Sequence, residues 1–149
     1  MPIITSPQVV LDLHGSDRHE ATRVLAQTLA DGGRVTDVEQ FLADVRAREE
    51  QMATGLPGGI GIPHARSAAV TEPSLAFGRS AQGIDWGAED GPATLIFLIA
   101  APEGGGDEHL QILASLARKL MQPDFRASLA QAPDADTVVD IVTTQVVTS

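Results

Sequence analysis

The sequence contains no cysteine, one tryptophan and one lysine, Lys119. The lack of cysteine excludes disulfides, thiolate nucleophiles and thiolate metal ligands. Because nucleic-acid binding relies on clustered lysine and arginine, the scarcity of lysine and the formal net charge of -10 argue against a nucleic-acid partner. The chemistry of this chain must therefore rest on histidine, arginine, aspartate and glutamate.

Long apolar runs are also missing. The longest, Leu95–Ala101, is far shorter than the roughly 20 residues that span a bilayer. The first seven residues lack the basic start and apolar stretch of a signal peptide. We therefore expect a cytoplasmic protein, and the 149 residues with 43% hydrophobic content predict a single domain over 1–149.

Hydrophobic spacing predicts an α/β domain in which short strands and helices follow each other. The predicted strands are 9–13, 75–79 and 93–101. The predicted helices begin near Asp17, Thr36, Glu108, Pro123 and Asp134. The first helix has a capping signature at Asp17 and Glu20, and the second has one at Thr36 and Glu39.

Strand 93–101 has no polar alternation, so we expect it to be buried on both faces at the centre of the sheet. The segment 82–92 is rich in turn residues, and its Trp86 is expected to cover an edge of the core. The second helix should end near Glu50. We expect the charged side chains of its last turns to form a solvated face; these are Arg46, Arg48, Glu49 and Glu50.

The stretch Thr54–Arg66 is rich in glycine and proline and ends at a histidine near an arginine. Such a backbone turns, runs extended and presents His64 rather than burying it. A neutral imidazole is a good nucleophile near neutral pH, and a guanidinium such as that of Arg66 suits an incoming phosphoryl group. The stretch predicts a histidine that carries phosphate.

Other kinds of site lack the residues they require. The glycines have no following Lys-Ser/Thr for a P-loop, and Ile62-Pro63-His64 stands where a dinucleotide fingerprint needs its third glycine. No Gly-x-Ser-x-Gly is present for a hydrolase elbow. The four histidines lack zinc-ligand spacing, so no metal is expected, and His14 and His19 are expected to be structural or surface residues.

His64 follows the extended part of the glycine-rich stretch, which we interpret as a short strand, and His109 follows the predicted strand 93–101. Ligands gather at strand ends in open α/β sheets. If the two strands lie near each other, the two imidazoles meet at one end of the sheet. The helix that begins near Glu108 then points its backbone N–H groups into the same place. A purely structural role for either histidine stays open at this point.

Five segments together resemble a known family. They are Arg48-Glu49, Thr54-Gly55, Gly59–His64, Leu98–Pro102 and His109–Ala117. In order and spacing they look like the fructose/mannitol-type enzyme IIA domain of the bacterial phosphoenolpyruvate-dependent sugar phosphotransferase system (PTS). Segments 102–109 and 63–67 look most like fructose-type members. Gly61 stands where relatives often carry alanine.

The resemblance implies a three-layer α/β/α fold with a central mixed sheet. It implies that His64 accepts a phosphoryl group from the phosphohistidine of the carrier HPr. The group then passes to a cysteine of enzyme IIB during sugar uptake, which involves the membrane domain IIC. It also implies that Arg48 and His109 line the phosphate pocket, and no cofactor is expected.

The roles of two supporting residues, and the function of the protein within this family, each have more than one interpretation. Thr54 either adds a hydroxyl contact to the phosphate or serves as a turn residue, and Arg66 faces either the phosphate, a partner or solvent. Nitrogen-type relatives share the histidine motif and act by binding partner proteins according to their phosphorylation state. A small-ligand domain without phosphoryl chemistry is the third alternative.

Overall fold

A computed structural model of the chain describes residues 3–88, 91–104 and 108–147, without the side chains of 108–110, 113 and 147. Its helices are α1 (Arg18–Asp31), α2 (Val38–Gln51), α3 (Glu108–Leu120), α4 (Pro123–Gln131) and α5 (Ala135–Val142). A 3-10 turn precedes the first strand (Ser6–Gln8), and a π-helical turn follows α5 (Thr143–Val147). The strands are β1 (Val9–Val10), β2 (Gly55–Leu56), β3 (Ile60–Gly61), β4 (His64–Ser67), β5 (Ser74–Ile84) and β6 (Ala93–Pro102).

The strands form one mixed sheet in the order β1-β5-β6-β3-β2, and β4 also pairs with β6. Strand β6 is antiparallel to β5 and parallel to both β3 and β4. The prediction that 93–101 forms the centre of the sheet is confirmed.

Alternate side chains of β6 enter two separate cores, which explains why its sequence lacks polar residues. Ile96 and Leu98 pack against α1 and α2, through Leu25 and Phe41 among others. Leu95, Phe97 and Ile99 pack on the other face. There they meet apolar side chains of α3, α4 and α5, namely Leu116, Leu120, Phe125, Leu129, Val138 and Val142. The predicted three-layer α/β/α fold with a mixed sheet is therefore confirmed.

The helix starts follow from local capping. Asp17 accepts a hydrogen bond from the Glu20 N–H at 2.8 Å, and Asp134 accepts one from the Thr137 N–H at 2.8 Å, as predicted. The predicted start of the second helix is wrong by one residue. Asp37 caps α2 by accepting from the Gln40 N–H at 3.1 Å, because Thr36 is held by the Ala69 carbonyl instead.

Two predicted strands have different bounds, and the glycine-rich stretch contains further strands. The first strand is shorter, Val9–Val10 instead of 9–13. The strand predicted at 75–79 extends to Ile84, into the segment predicted to be rich in turns. The glycine-rich stretch that begins at Thr54 contains three short strands, β2 to β4, because its backbone pairs with β6 and with itself. The predicted loop between β6 and α3 includes 105–107, which lie outside the described residues.

Candidate functional site

His64 lies on an extended segment that is interrupted once. Ile60 pairs with Leu95, Gly61 with Ile96, and His64 with Ile99, so β3 and β4 keep the same register along β6. Between the two strands, the Ile62 N–H donates to the Thr54 carbonyl at 3.1 Å instead of to β6. The Pro63 carbonyl accepts a hydrogen bond from the Ile99 N–H at 3.0 Å. Because proline has no N–H, the interruption leaves no donor unpaired at residue 63.

The alternation of a strand determines which layer His64 faces. Ala65 packs against the core formed by α1 and α2. His64 and Arg66 therefore lie on the opposite face, where Ile99, the pairing partner of His64, belongs to the core under α3, α4 and α5. The imidazole is half-buried and Arg66 is exposed.

A backbone carbonyl orients the imidazole. Nδ1 of His64 lies 2.8 Å from the carbonyl oxygen of Ile62. A carbonyl only accepts hydrogen bonds, so Nδ1 carries the hydrogen, and in the neutral ring the lone pair is on Nε2. Nε2 is thus the nitrogen that can attack an electrophile.

The backbone around His64 is anchored to a buried carboxylate. Glu49 of α2 is 6% exposed. Its Oε2 accepts from the Thr54 N–H at 2.6 Å, and its Oε1 accepts from the Thr54 hydroxyl at 2.5 Å. The same hydroxyl accepts from Nε1 of Trp86 at 3.2 Å. The hydroxyl of Thr54 is therefore already bonded as donor and as acceptor inside the fold.

The prediction that Glu49 belongs to a solvated face is wrong. Residues 41, 45 and 49 follow one another at four-residue spacing, which places Glu49 on the buried stripe of α2 below Phe41 and Val45. This spacing is the signal in the sequence that identifies a buried acid. Its burial is stabilised by the two bonds from Thr54 and by Arg18, whose Nη1 lies 3.6 Å from Oε2 of Glu49.

Trp86 is predicted to cover an edge of the core, and the structure buries it fully inside the core that α1 and α2 cover. Its ring lies against Gly61, where an added Cβ would come within 2.7 Å of the indole Cδ2. Glycine at position 61 thus gives the indole the space it occupies. This contact also places the tryptophan next to the segment that leads to His64.

Arg48 lies on α2, the helix that packs against β4. It is half-buried, and its Nη1 donates to the Met52 carbonyl at 3.2 Å. Within the described ranges no hydrogen bond joins Arg48 to His64. The helix packs on the Ala65 face of β4, so this packing does not itself place Arg48 against His64, and the predicted contact of Arg48 with phosphate stays a prediction.

His109 lies in the first turn of α3, which follows the central strand β6. Its side chain is outside the described residues, so the predicted meeting of the two imidazoles stays a prediction. His14 is exposed and lies 3.1 Å from Asp12. Among the described side chains, none form a group of three or more that suits a metal ion. In that same part of the chain, every helix is too short or too polar to cross a bilayer.

The fold and the site together define a class of protein: an α/β/α domain that presents one oriented imidazole at an interrupted sheet strand. The chain belongs to the family described as "Phosphoenolpyruvate-dependent sugar phosphotransferase system, EIIA 2", whose model matches residues 2–145. Membership confirms the resemblance seen in the sequence, and it places the chain among the components of a phosphotransferase system.

Individual relatives agree with this assignment. The PTS system fructose-specific EIIA component of Haloferax volcanii is 46% identical over 123 residues, which cover 82% of this chain and 80% of that protein. The PTS system fructose-like EIIA component of Escherichia coli is 32% identical over 143 residues, covering 95% and 96%. The crystal structure of nitrogen regulatory protein IIA-Ntr from Neisseria meningitidis matches with a TM-score of 0.86 at 32% identity, covering 95% and 97%.

Proposed function

We propose that the protein is the phosphoryl carrier of a fructose phosphotransferase system and that His64 carries the phosphoryl group. The observation that carries the proposal is the hydrogen bond between Nδ1 of His64 and the Ile62 carbonyl, which leaves the Nε2 lone pair available. The relatives named as fructose-specific and fructose-like support fructose as the sugar. The protein then acts in the cytoplasm, where its partners present their phosphorylated groups.

In the first step, the Nε2 lone pair of His64 attacks the phosphorus of phosphohistidine on HPr. The new Nε2–P bond forms as the old N–P bond breaks, and the electron pair returns to the imidazole of HPr. The Nδ1 hydrogen of His64 stays in place, so the phosphorylated ring is cationic and still donates to Ile62. No proton has to leave His64 in this step.

In the second step, a cysteine thiolate of the enzyme IIB partner attacks the same phosphorus. The S–P bond forms, the Nε2–P bond breaks, and its electron pair returns to Nε2. Through IIB the phosphoryl group reaches the sugar that IIC transports. Because the thiolate belongs to IIB, the lack of cysteine in this chain is compatible with the step.

Phosphoryl transfer depends mainly on positioning and on charge balance. Arg48 neutralises the phosphoryl oxygens, and His109 donates a hydrogen bond to them from the first turn of α3. Arg66 shares the strand face of His64 and adds positive charge there. Thr54 supports the pocket through its backbone, since its hydroxyl is bonded to Glu49 and Trp86.

The test is phosphorylation with labelled phosphoenolpyruvate, enzyme I and HPr. We expect the wild-type chain to take up label and His64→Gln to take up none, with an unchanged circular dichroism spectrum. His14→Gln is the matched control, because His14 is exposed and bonded to Asp12, and it should be labelled normally. The label should be lost in acid and kept in base, as expected for a phosphorus–nitrogen bond. Labelling of His64→Gln, or an acid-stable adduct, would refute the proposal.

The second candidate is a nitrogen-type regulatory protein, which binds partners according to its phosphorylation state. The observation in its favour is the match to nitrogen regulatory protein IIA-Ntr. The two candidates differ in the fate of the label after it has been taken up. When a purified fructose-type IIB protein is added, a carrier passes its label to the IIB cysteine, whereas a regulatory protein retains it.

A further inference from the structure

Glu49 is a buried carboxylate in a position where its helix otherwise presents apolar side chains. Only 6% of the residue is exposed, and it follows Phe41 and Val45 on the buried stripe of α2. Burying a carboxylate costs free energy unless hydrogen bonds and a counter-ion compensate it. Two donors from Thr54 and the nearby Arg18 guanidinium supply that compensation.

A series of hydrogen bonds leads from this carboxylate to the imidazole. Glu49 holds the N–H and hydroxyl of Thr54, at 2.6 and 2.5 Å. The Thr54 carbonyl accepts from the Ile62 N–H at 3.1 Å. The Ile62 carbonyl in turn accepts from Nδ1 of His64 at 2.8 Å. Each bond fixes the residue that makes the next one.

Trp86 determines the direction of the Thr54 hydroxyl. The indole Nε1–H is only a donor, so at 3.2 Å it occupies a lone pair of that hydroxyl. The hydroxyl hydrogen is therefore available to Glu49, and both carboxylate oxygens accept from Thr54. A carboxylate can accept both hydrogen bonds from Thr54, because both of its oxygens are acceptors.

We infer that Glu49 is a positioning residue for phosphoryl transfer: it holds Thr54 so that the Ile62 carbonyl keeps His64 in the Nδ1–H tautomer. The inference deepens the proposed function and rests on it. Glu49 affects His64 by fixing the positions of Thr54 and Ile62. The N–H and the carbonyl of Thr54 belong to different peptide groups, so polarisation does not pass directly from one bond to the next.

Glu49→Gln keeps the size of the side chain and removes one acceptor. An amide has one accepting oxygen and one donating nitrogen, so one of the two Thr54 donors loses its partner. We expect Thr54 and Ile62 to shift and the Nδ1–H tautomer to lose population. Since small misplacements of a nucleophile slow transfer strongly, the rate should fall by about 10- to 100-fold.

The tautomer can be measured without any phosphoryl donor, by nitrogen NMR of the histidine rings at about pH 8, which lies above the ordinary pKa of histidine. We expect mainly the Nδ1–H form for His64 in the wild type and a mixture of tautomers in Glu49→Gln. Glu39→Gln is the matched control on the same helix, because Glu39 is exposed and bonds Arg23. It should keep both the wild-type tautomer and the wild-type transfer rate.

Thr54→Val provides a second variant of nearly unchanged volume if Glu49→Gln does not fold. It removes the hydroxyl and keeps the N–H bond to Glu49, so a smaller tautomer shift of the same kind is expected. Thr54→Ser keeps both donors, so His64 should keep the Nδ1–H tautomer in this variant. An unchanged tautomer in Glu49→Gln, or in Thr54→Val where that variant replaces it, overturns the inference, even if transfer slows.

The labelling experiments distinguish failure of the positioning role of Glu49 from failure of the proposed function. If the wild-type chain takes up no label, the proposed function is wrong, whatever the tautomer. If the wild type is labelled and Glu49→Gln is labelled at the same rate, the function stands and the positioning role does not.

Discussion

The carbonyl oxygen of Ile62 lies 2.8 Å from Nδ1 of His64, two residues along the same interrupted strand. This distance makes the catalytic imidazole of the proposed reaction dependent on the backbone immediately before it. Ile62 itself is held by Thr54 at 3.1 Å. The orientation of the imidazole is therefore set by the backbone segment that carries it.

Replacement of Arg48 by alanine should slow phosphoryl transfer by about 10- to 100-fold, because a charged hydrogen bond contributes about 1.5–3 kcal/mol. Arg46→Ala is the matched control, since Arg46 is exposed on the same helix. Rapid-quench measurement of label uptake compares the two variants. Equal rates for Arg48→Ala and wild type would remove Arg48 from the phosphate pocket.

Replacement of His109 by alanine should slow transfer without abolishing it, because His109 is proposed to assist while His64 forms the bond. Label should still accumulate slowly on His64 in His109→Ala, in contrast to the complete loss in His64→Gln. His14→Ala serves as the control, since His14 is exposed and lies beside Asp12. An unchanged transfer rate in His109→Ala contradicts the assignment.

Gly61→Ala should destabilise the fold by about 1–3 kcal/mol, the usual cost of overpacking. An added Cβ would come within 2.7 Å of Cδ2 and 2.8 Å of Cγ of Trp86. Denaturant unfolding followed by the fluorescence of the single tryptophan measures the effect. Gly104→Ala, where a Cβ meets nothing within 4 Å, should change the free energy of unfolding little. Wild-type stability of Gly61→Ala would show that the indole has room to move.

Acid should weaken the start of α1. The hydrogen bond from the Glu20 N–H, with a smaller contribution from the charge of His19, lowers the pKa of Asp17 below its ordinary value. A carboxyl group with a lowered pKa in the folded state stabilises the protein above its unfolded pKa, and that contribution is lost as pH falls through the folded value. The loss should therefore begin below about pH 4.

Asp17→Asn keeps a cap oxygen and removes the ionisation, so its stability should fall less steeply in acid than that of the wild type. Thermal unfolding between about pH 6 and pH 2.5 measures the difference. Asp140→Asn replaces an aspartate outside the helix N-caps and serves as the control. Identical slopes for Asp17→Asn and wild type would contradict the role of the cap.

Much of the architecture was predictable because its signals are local. Asp17 and Asp134 cap helices through bonds to residues three positions away, and the unbroken apolar run of β6 reflects burial on both faces. His64 was predictable as the presented residue because proline and glycine restrict the backbone around it. The family followed from motifs that are continuous in the sequence.

The sequence by itself therefore determined the helices, the central strand and the identity of the candidate nucleophile. Only the tertiary structure decided that Glu49 bonds Thr54, that Trp86 fills the space beside Gly61, and that the Thr54 carbonyl holds Ile62. These contacts arise where β3 and β4 pair with β6 and α2 packs against β4. Their physical reason is register and packing between segments distant in the chain, which local propensity does not specify.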